Sequence, residues 1–339
     1  MGEPAGRGAA RGHVLGVDSG GSGLRIAVAR ADDPAARPLA SAASAEAVRT
    51  GPRGIDADHL LAQLLPAAEE LAREAGADGF TAVCVGAAGM ASLGDELRAR
   101  LPGALTAALG VRRLALAGDA VTAYAGALGQ RPGAVVAAGT GMIALGTDLT
   151  PAGGWRRADG WGHLLGDSGG GAWIGRAGLE AALRAYDGRP GGSAALLASA
   201  EAVFGPVTEL PGMLYPRADR PAVLASFAPE VGRRAAGEDA VALGILRTAA
   251  DHIADAAAAV CPPGEGTSVA WTGGLFGIGE PLLAPLRRAL AERLPGARPA
   301  AAAKSPLDGA LTIAAALAGD RLLLPPDPKL LQITRPARG

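Results

Sequence analysis

Short apolar runs that end in glycine-rich turns recur along this chain and constrain its fold more than any other feature. In 13–29 (HVLGVDSGGSGLRIAVA) an apolar run reaches Asp18, a Ser-Gly-Gly-Ser-Gly turn follows, and a strand-like pattern resumes. Residues 133–146 (GAVVAAGTGMIALG) repeat that order, with Thr140 in the bend. Both segments predict β-hairpins whose turns can present backbone N–H groups to phosphates.

Two further glycine-rich segments follow in the second half. Residues 268–277 (SVAWTGGLFG) predict a short strand that runs into two glycines, before an amphipathic helix over about 280–294. Residues 153–175 (GGWRRADGWGHLLGDSGGGAWIG) combine glycines, tryptophans and an aspartate, which is typical of a polar ligand site. The alternative is a glycine-rich loop whose tryptophans only pack against the protein.

Hydrophobic periodicity indicates alternating strands and helices. Helices are predicted over 56–76, 94–109 with a break at Pro102, 178–186, 240–260 and 305–318, and strands over 80–86 and 114–117. This alternation predicts an α/β architecture with ligands at strand ends.

Composition favours a two-domain enzyme that acts on small molecules. The chain has 339 residues, of which 49% are hydrophobic, enough for two cores. The net charge of −1 gives no reason to expect nucleic acid as a partner. No apolar run or N-terminal leader points to a membrane, so we expect a cytoplasmic protein. Cys84 and Cys261 are the only cysteines, so neither a disulfide framework nor a zinc site is predicted.

Missing motifs narrow the chemistry further. The only lysines are Lys304 and Lys329, so the chain contains no Gly-Lys-Ser/Thr phosphate loop. No predicted strand leads into a Gly-x-Ser-x-Gly elbow, which disfavours hydrolysis of the serine type. Any phosphate binding must therefore use backbone amides, hydroxyls and a metal.

Five motifs in order carry a family resemblance: DSGGS, LAGDAVTAYAGAL, AAGTG, GWGHLLGDSGGGAWIG and TGGLFG. This order resembles the ASKHA superfamily of actin, heat-shock chaperone ATPases and sugar kinases. Within it, the chain most resembles the BadF/BadG/BcrA/BcrD ATPase family, N-acetylglucosamine kinase branch, over roughly 16–318. The resemblance implies two α/β domains of related, ribonuclease H-like fold with a cleft between them for ATP and a sugar.

The resemblance and the turn signals together predict the domain boundaries. We expect a flexible tail over 1–12, an N-terminal domain over 13–131 and a C-terminal domain over 132–304. The last helix, within 305–323, would return to the N-terminal domain, and 324–339 would form a C-terminal tail. A homodimer is the expected assembly.

The resemblance also implies the site residues. Asp18 would help to organise Mg²⁺, while the phosphates of ATP would contact Gly20, Gly21, Ser22, Gly139, Thr140 and Gly141. Gly273 and Gly274 would border the adenosine, and Gly160, Trp161 and Asp167 would bind the sugar. Asp119, which follows a short strand and precedes a helix, would accept the proton of the sugar hydroxyl. From position alone, a helix N-cap is the more typical role for Asp119, and the resemblance reverses that preference.

The implied activity is ATP- and Mg²⁺-dependent phosphorylation of an amino sugar, N-acetylglucosamine or glucosamine, at its 6-hydroxyl. The chain departs from the family pattern, because it has no asparagine and carries Met142, Ile143 and Ser168 where serine, asparagine and glutamate are usual. Another hexosamine or a cyclitol therefore stays open as the acceptor, with contacts from 44–54. Two other functions are retained as alternatives: an ATPase that activates a radical dehydratase, and a non-catalytic nucleotide or sugar sensor.

Overall fold

The computed structural model describes residues 12–20, 23–33, 35–46, 48–51, 54–264 and 266–335. Apart from Gly12, the expected N-terminal tail lies outside these residues. The chain forms two compact units. Unit 1 consists of Met1–Arg131, Asp148–Trp155 and Ala302–Gly339, and unit 2 of Pro132–Thr147 and Arg156–Ala301.

Unit 1 contains a six-stranded sheet, a separate two-stranded sheet formed by β4 and β5, and helices. Its strands are β1 (His13–Gly20), β2 (Gly23–Arg30), β3 (Pro38–Ser44), the short β4 (Thr50–Gly51) and β5 (Gly54–Ile55), β6 (Phe80–Ala87), β7 (Leu114–Gly118) and β13 (Leu331–Thr334). Its helices are α1 (Ala57–Glu74), α2 (Met90–Leu93), α3 (Asp95–Leu109), α4 (Asp119–Leu128) and α12 (Pro306–Ala318). Strand β13, within the segment expected to be a C-terminal tail, pairs with β7 at one edge of the sheet.

The main sheet of unit 1 has the strand order β13-β7-β6-β1-β2-β3. Strands β1 and β2 form the predicted antiparallel hairpin, while β1, β6 and β7 run parallel. The register places Asp18 beside Gly86, and Gly86 beside Ala117. The carboxyl ends of β1 and β7 therefore lie at the same end of the sheet, which positions Asp18 and Asp119.

Close backbone approach explains why small residues cover this sheet. A Cβ at Gly86 would come within 2.6 Å of Thr122 on α4, and a Cβ at Gly309 on α12 would overlap the Thr122 carbonyl. Helix α12 begins with a capping box formed by Ser305 and Asp308. A larger side chain at either glycine would force α4 away from the sheet, and Asp119 with it.

Unit 2 contains the second sheet. Its strands are β8 (Gly133–Ala138), β9 (Met142–Thr147), β10 (Arg156–Asp159), β11 (Ser268–Thr272) and β12 (Arg298–Ala301). Its helices are α5 (Gly171–Tyr186), α6 (Ala194–Phe204), α7 (Leu210–Leu214), α8 (Arg220–Ser226), α9 (Ala228–Ala236), α10 (Ala240–Val260) and α11 (Glu280–Arg293). A 3-10 turn over Gly274–Ile278 follows β11.

The two sheets share one connectivity. In unit 2 the order is β10-β9-β8-β11-β12: three antiparallel strands, then two that run parallel to β8. Unit 1 has the same arrangement with β3-β2-β1-β6-β7. The glycine turns after β1 and β8 therefore occupy equivalent places in the two units.

Two helix predictions need correction, and several helices were not predicted. The break expected at Pro102 is absent, because α3 runs through it. Leu97, Leu101 and Leu105 are all buried on one face of α3, and this packing offsets the hydrogen bond that proline cannot donate. The helix expected over 178–186 begins earlier, at Gly171, and α6 to α9 were not predicted. Within the described residues, we find no helix with both the length and the hydropathy to cross a bilayer.

Candidate active site

Two aspartates mark the carboxyl end of the unit 1 sheet. Asp18 lies near the end of β1, is 6% exposed, and forms an ion pair of 3.2 Å with Arg25 of β2. Asp119 is the first residue of α4, and its Oδ1 accepts a hydrogen bond from the Ala120 N–H at 2.9 Å. The N-cap of α4 is Gly118, so Asp119 is not the capping residue.

Both carboxyl groups are electrostatically perturbed. Burial raises the pKa of Asp18, and the Arg25 guanidinium opposes that rise. Asp119 keeps a solvent-exposed surface, yet the protein around its carboxylate removes enough hydration to raise its pKa to about 6. The negative charge of Asp18 adds to the effect, and the Ala120 N–H counteracts it. A carboxylate with such a pKa is basic enough to accept a proton near neutral pH.

The turn between β1 and β2 is only partly described. Gly20 ends β1 and pairs with Gly23, whereas the predicted phosphate contacts Gly21 and Ser22 lie outside the described residues. The segment after β3 is anchored to α1 by His59, whose ring bonds to Glu46 Oε1 at 3.0 Å and accepts from the Arg49 N–H at 3.2 Å.

In unit 2 the Gly139–Gly141 turn is fastened to the start of α5. The Gly139 N–H bonds to the Gly141 carbonyl at 2.9 Å, and the N–H groups of Gly171 and Ala172 donate to the Gly139 and Thr140 carbonyls at 2.9 and 2.8 Å. In a flexible turn, these backbone N–H and carbonyl groups would form hydrogen bonds with water instead. The turn is therefore held rigidly at the N-terminus of α5, where the helix dipole favours anions although these two N–H groups are already occupied.

Asp167 lies directly against this turn. A Cβ at Gly141 would overlap Asp167 Oδ2, so only glycine leaves room for the carboxylate there. Oδ1 accepts from the Gly162 N–H at 3.1 Å. Burial raises the pKa of Asp167, the Gly162 N–H lowers it, and the charge of Asp159 raises it further.

The loop 160–170 is organised by Asp159, a residue that the sequence analysis did not select. Its two carboxylate oxygens accept from the backbone N–H groups of Asp167 and Ser168. Asp159 and Asp167 both have left-handed backbone conformations, with φ of 60° and 54°. Such strain at non-glycine residues is typical of functional sites.

Trp161 projects from the loop rather than packing in the core. Its side chain leaves the residue 66% exposed, and the Arg157 guanidinium lies 4.5 Å from its ring centroid. Arg157 also donates to the carbonyls of Asp159 and Gly160. Trp161 therefore offers an accessible apolar face beside Gly160. Trp173, in contrast, packs edge-on against His252 at 5.2 Å.

A groove of about 710 Å³ lies within unit 2, and we call it the unit 2 groove. Its lining residues are Gly139, Thr140, Gly171, Ala222, Ala225, Ser226, Ala228, Pro229, Gly232, Arg233, Ala236, Gly274, Leu275, Gly277, Ile278 and Pro281. The groove joins two turns that are about 130 residues apart in sequence. Gly273 adjoins it, and a Cβ there would overlap the carbonyl at the end of β8. Its size matches that of small-molecule sites.

One wall of this groove was not predicted from the sequence. Helices α8 and α9 form it, and each has a proline in its first turn, Pro221 and Pro229. Proline at that position is a helix start signal, so the sequence did contain an indication of both helices.

The fold and these turns define a class of protein. Two sheets of equivalent connectivity, each with a glycine turn after its first strand, form the architecture of ASKHA-type sugar kinases. The model of the BadF/BadG/BcrA/BcrD ATPase family matches residues 15–317. The chain belongs to this family.

Solved structures agree with the assignment. A candidate N-acetylglucosamine kinase from Chromobacterium violaceum has 30% identity and a TM-score of 0.67, with 89% of this chain and 98% of that chain covered. A glucokinase of the ROK family from Streptomyces griseus, in complex with glucose and AMPPNP, shares the fold at 19% identity. Its TM-score is 0.50, with 91% of this chain and 98% of that one covered.

A curated relative matches a shorter region. The N-acetylmuramic acid/N-acetylglucosamine kinase of Clostridium acetobutylicum is 34% identical over 110 residues. That match covers 32% of this chain and 34% of the relative, so the chain matches about a third of the relative's length.

Proposed function

We propose that this protein is an ATP- and Mg²⁺-dependent kinase that phosphorylates the 6-hydroxyl of an amino sugar, N-acetylglucosamine or glucosamine. The observation that carries the proposal is the Gly139–Gly141 turn. Gly139 and Thr140 line the unit 2 groove, while Gly141 lies against the Asp167 carboxylate. One rigid turn thus adjoins both a groove of nucleotide size and a carboxylate suited to sugar hydroxyls.

Asp119 is the proposed catalytic base. In the reaction the 6-oxygen of the sugar attacks the γ-phosphorus, its proton passes to the Asp119 carboxylate, and the bond from that phosphorus to the β–γ bridging oxygen breaks to release ADP. A pKa of about 6 leaves the carboxylate ionised at neutral pH and still able to accept this proton.

Membership of an ATPase family implies ATP as the nucleotide, and the chemistry of the aspartates fits Mg²⁺. This ion is usually held by one or two carboxylates together with waters and substrate phosphates. Asp18 supplies a buried carboxylate, which forms an ion pair with the Arg25 guanidinium. No cluster of three or more acidic, histidine or cysteine side chains occurs in the described part of the chain. The metal would neutralise charge on the γ-phosphate as it is transferred.

The sugar would be held by Asp167, Trp161 and the backbone at Gly160. The Ile143 side chain packs against Gly160, where an added Cβ would lie only 2.8 Å from it. Ile143 therefore supplies an apolar contact beside Gly160 and not a polar one. Met142, the other departure from the family pattern beside this turn, is buried in the core of unit 2. Selectivity for the N-acetyl group would then depend on other residues, and Glu46 and Arg49 after β3 are the proposed candidates.

The proposal is tested by ADP release with Mg-ATP against N-acetylglucosamine, glucosamine, N-acetylmuramic acid, glucose and no sugar. We expect release that depends on one amino sugar, and no dependence in the Asp119→Asn variant. Equal release with and without every sugar would contradict the kinase proposal. It would instead favour an ATPase that serves another partner.

An ATPase that activates a radical dehydratase remains a second candidate function, and only membership of the family supports it. An iron–sulfur cluster would need accessible cysteines. Cys84 is fully buried in β6, where burial raises the pKa of its thiol, and half-buried Cys261 ends α10. Visible-region absorbance in an anaerobic preparation would favour that candidate. A non-catalytic sensor would bind ATP and sugar without releasing ADP.

A further inference from the structure

The unit 2 groove has a distinguishable phosphate end. Gly139, Thr140 and Gly171 form this end, where the turn meets the start of α5. Helix α8 lies alongside, because a Cβ at Gly171 would come within 3.2 Å of Ala225. The Gly171 and Ala172 N–H groups already donate to the turn carbonyls, but the positive end of the α5 dipole lies here and favours the phosphates of a nucleotide.

A second end is formed by α9 and Ile278, where the 3-10 turn after β11 finishes. A Cβ at Gly232 on α9 would come within 2.9 Å of Ile278, the last residue of that turn. Leu275 and Pro281 add apolar surface here, whereas Gly274 follows Gly273, which lies against the end of β8. Such walls suit the flat face of a base rather than a phosphate.

Arg233 lies at this second end. Among the lining residues described, it is the only one with a charged side chain, next in sequence to Gly232. Its side chain is 70% exposed and is paired with Glu230, whose side chain is only 10% exposed. The buried carboxylate fixes the guanidinium in place while leaving most of its surface open.

We propose that Arg233 is a nucleotide-binding residue that stacks its guanidinium on the purine base. The proposal deepens the function proposed above and rests on it for the identity of the nucleotide. A planar cation against an aromatic face is favourable, and an arginine already held by a carboxylate loses little freedom on binding. Because α9 is remote in sequence from the glycine turns, those motifs give no indication of this contact.

The test compares ligands that separate the two ends of the groove. Dissociation constants of adenosine, ADP and inorganic tripolyphosphate are measured by calorimetry for the wild type and for Arg233→Met. We expect adenosine and ADP to bind about fivefold more weakly in the variant, as one cation–π contact implies, and tripolyphosphate to bind as before.

Two further variants make the result interpretable. Arg233→Met leaves Glu230 buried without its partner, so the double variant Glu230→Gln/Arg233→Met removes both charges and should show the same ligand pattern. Arg234→Met is the matched control, because Arg234 lies on the same helix, bonds to Ser199 and does not line the groove. It should bind all three ligands as the wild type does.

Unchanged adenosine affinity in both Arg233 variants would overturn the proposal. A loss confined to tripolyphosphate would overturn it as well, since Arg233 would then contact phosphate. The measurement needs no sugar and no turnover. Sugar-independent ADP release would therefore contradict the proposed kinase function while the stacking contact still passed its own test.

Discussion

Replacing Asp119 by asparagine should abolish catalysis while preserving nucleotide binding. Asparagine keeps the shape of the protonated acid but cannot accept the proton of the sugar hydroxyl. We expect turnover to fall at least ~10²-fold, with the dissociation constant of ATP little changed. Wild-type turnover in Asp119→Asn would remove this residue from its proposed role.

The wild-type pH profile gives the same prediction a magnitude. With a pKa of about 6, the Asp119 carboxylate is about nine-tenths ionised at pH 7 and about one-tenth at pH 5. The value of kcat/KM for the sugar at pH 5 should therefore be about a tenth of its plateau. ADP should be quantified in quenched samples, because coupling enzymes have pH profiles of their own. A flat profile between pH 5 and 8 would refute the assignment.

Stability should change in the opposite direction to activity. Because the pKa of Asp119 is raised on folding, the neutral carboxyl favours the folded state, and that contribution is lost as pH rises through about 6. A shift of about 2 units would correspond to ~3 kcal/mol for a dry group, and solvent at this exposed residue reduces it to ~1 kcal/mol. Asp119→Asn should thus match or exceed the wild-type melting temperature at pH 8, with a smaller gain at pH 5. A clear loss at pH 8 would contradict the burial argument.

Three further predictions concern the turns. Gly141→Ala should lower kcat/KM for the sugar about 10- to 100-fold by displacing Asp167; wild-type kinetics would show that the carboxylate does not act there. Gly273→Ala should destabilise the protein by at least ~2 kcal/mol in urea unfolding, because φ is +109°, whereas Gly274→Ala, with open space around it, should not. Asp159→Asn should raise the sugar KM about tenfold, since one loop N–H loses its acceptor; an equal rise in the ATP KM would indicate general damage instead.

Local patterns were sufficient for the hairpins and for most long helices. The β1–β2 and β8–β9 hairpins were predicted because apolar runs flank glycine turns, and α10 was predicted with its observed bounds because its apolar period is long. Asp56 and Ser305 mark helix starts through capping, which also acts locally.

The structural features that the sequence did not predict depend on contacts between residues that are far apart in the chain. Pro102 stays within a helix because the buried leucines of α3 pack against the rest of unit 1. The segment of β13 forms a strand because β7 leaves an edge of the sheet with which it can pair. The role of Asp159 depends on a loop folding back so that two N–H groups reach one carboxylate. Likewise, Arg233 reaches the groove through the packing of α9 on the turn after β11, which no local pattern encodes.

The central claim is transfer of the γ-phosphate to the 6-hydroxyl of an amino sugar with Asp119 as base. The most direct measurement is phosphorus–proton correlation NMR of the product formed from Mg-ATP and the amino sugar that supports ADP release. We expect a single phosphate monoester at carbon 6 with the wild type, and none with Asp119→Asn over the same time. Inorganic phosphate as the only product, or a monoester at another carbon, would contradict it.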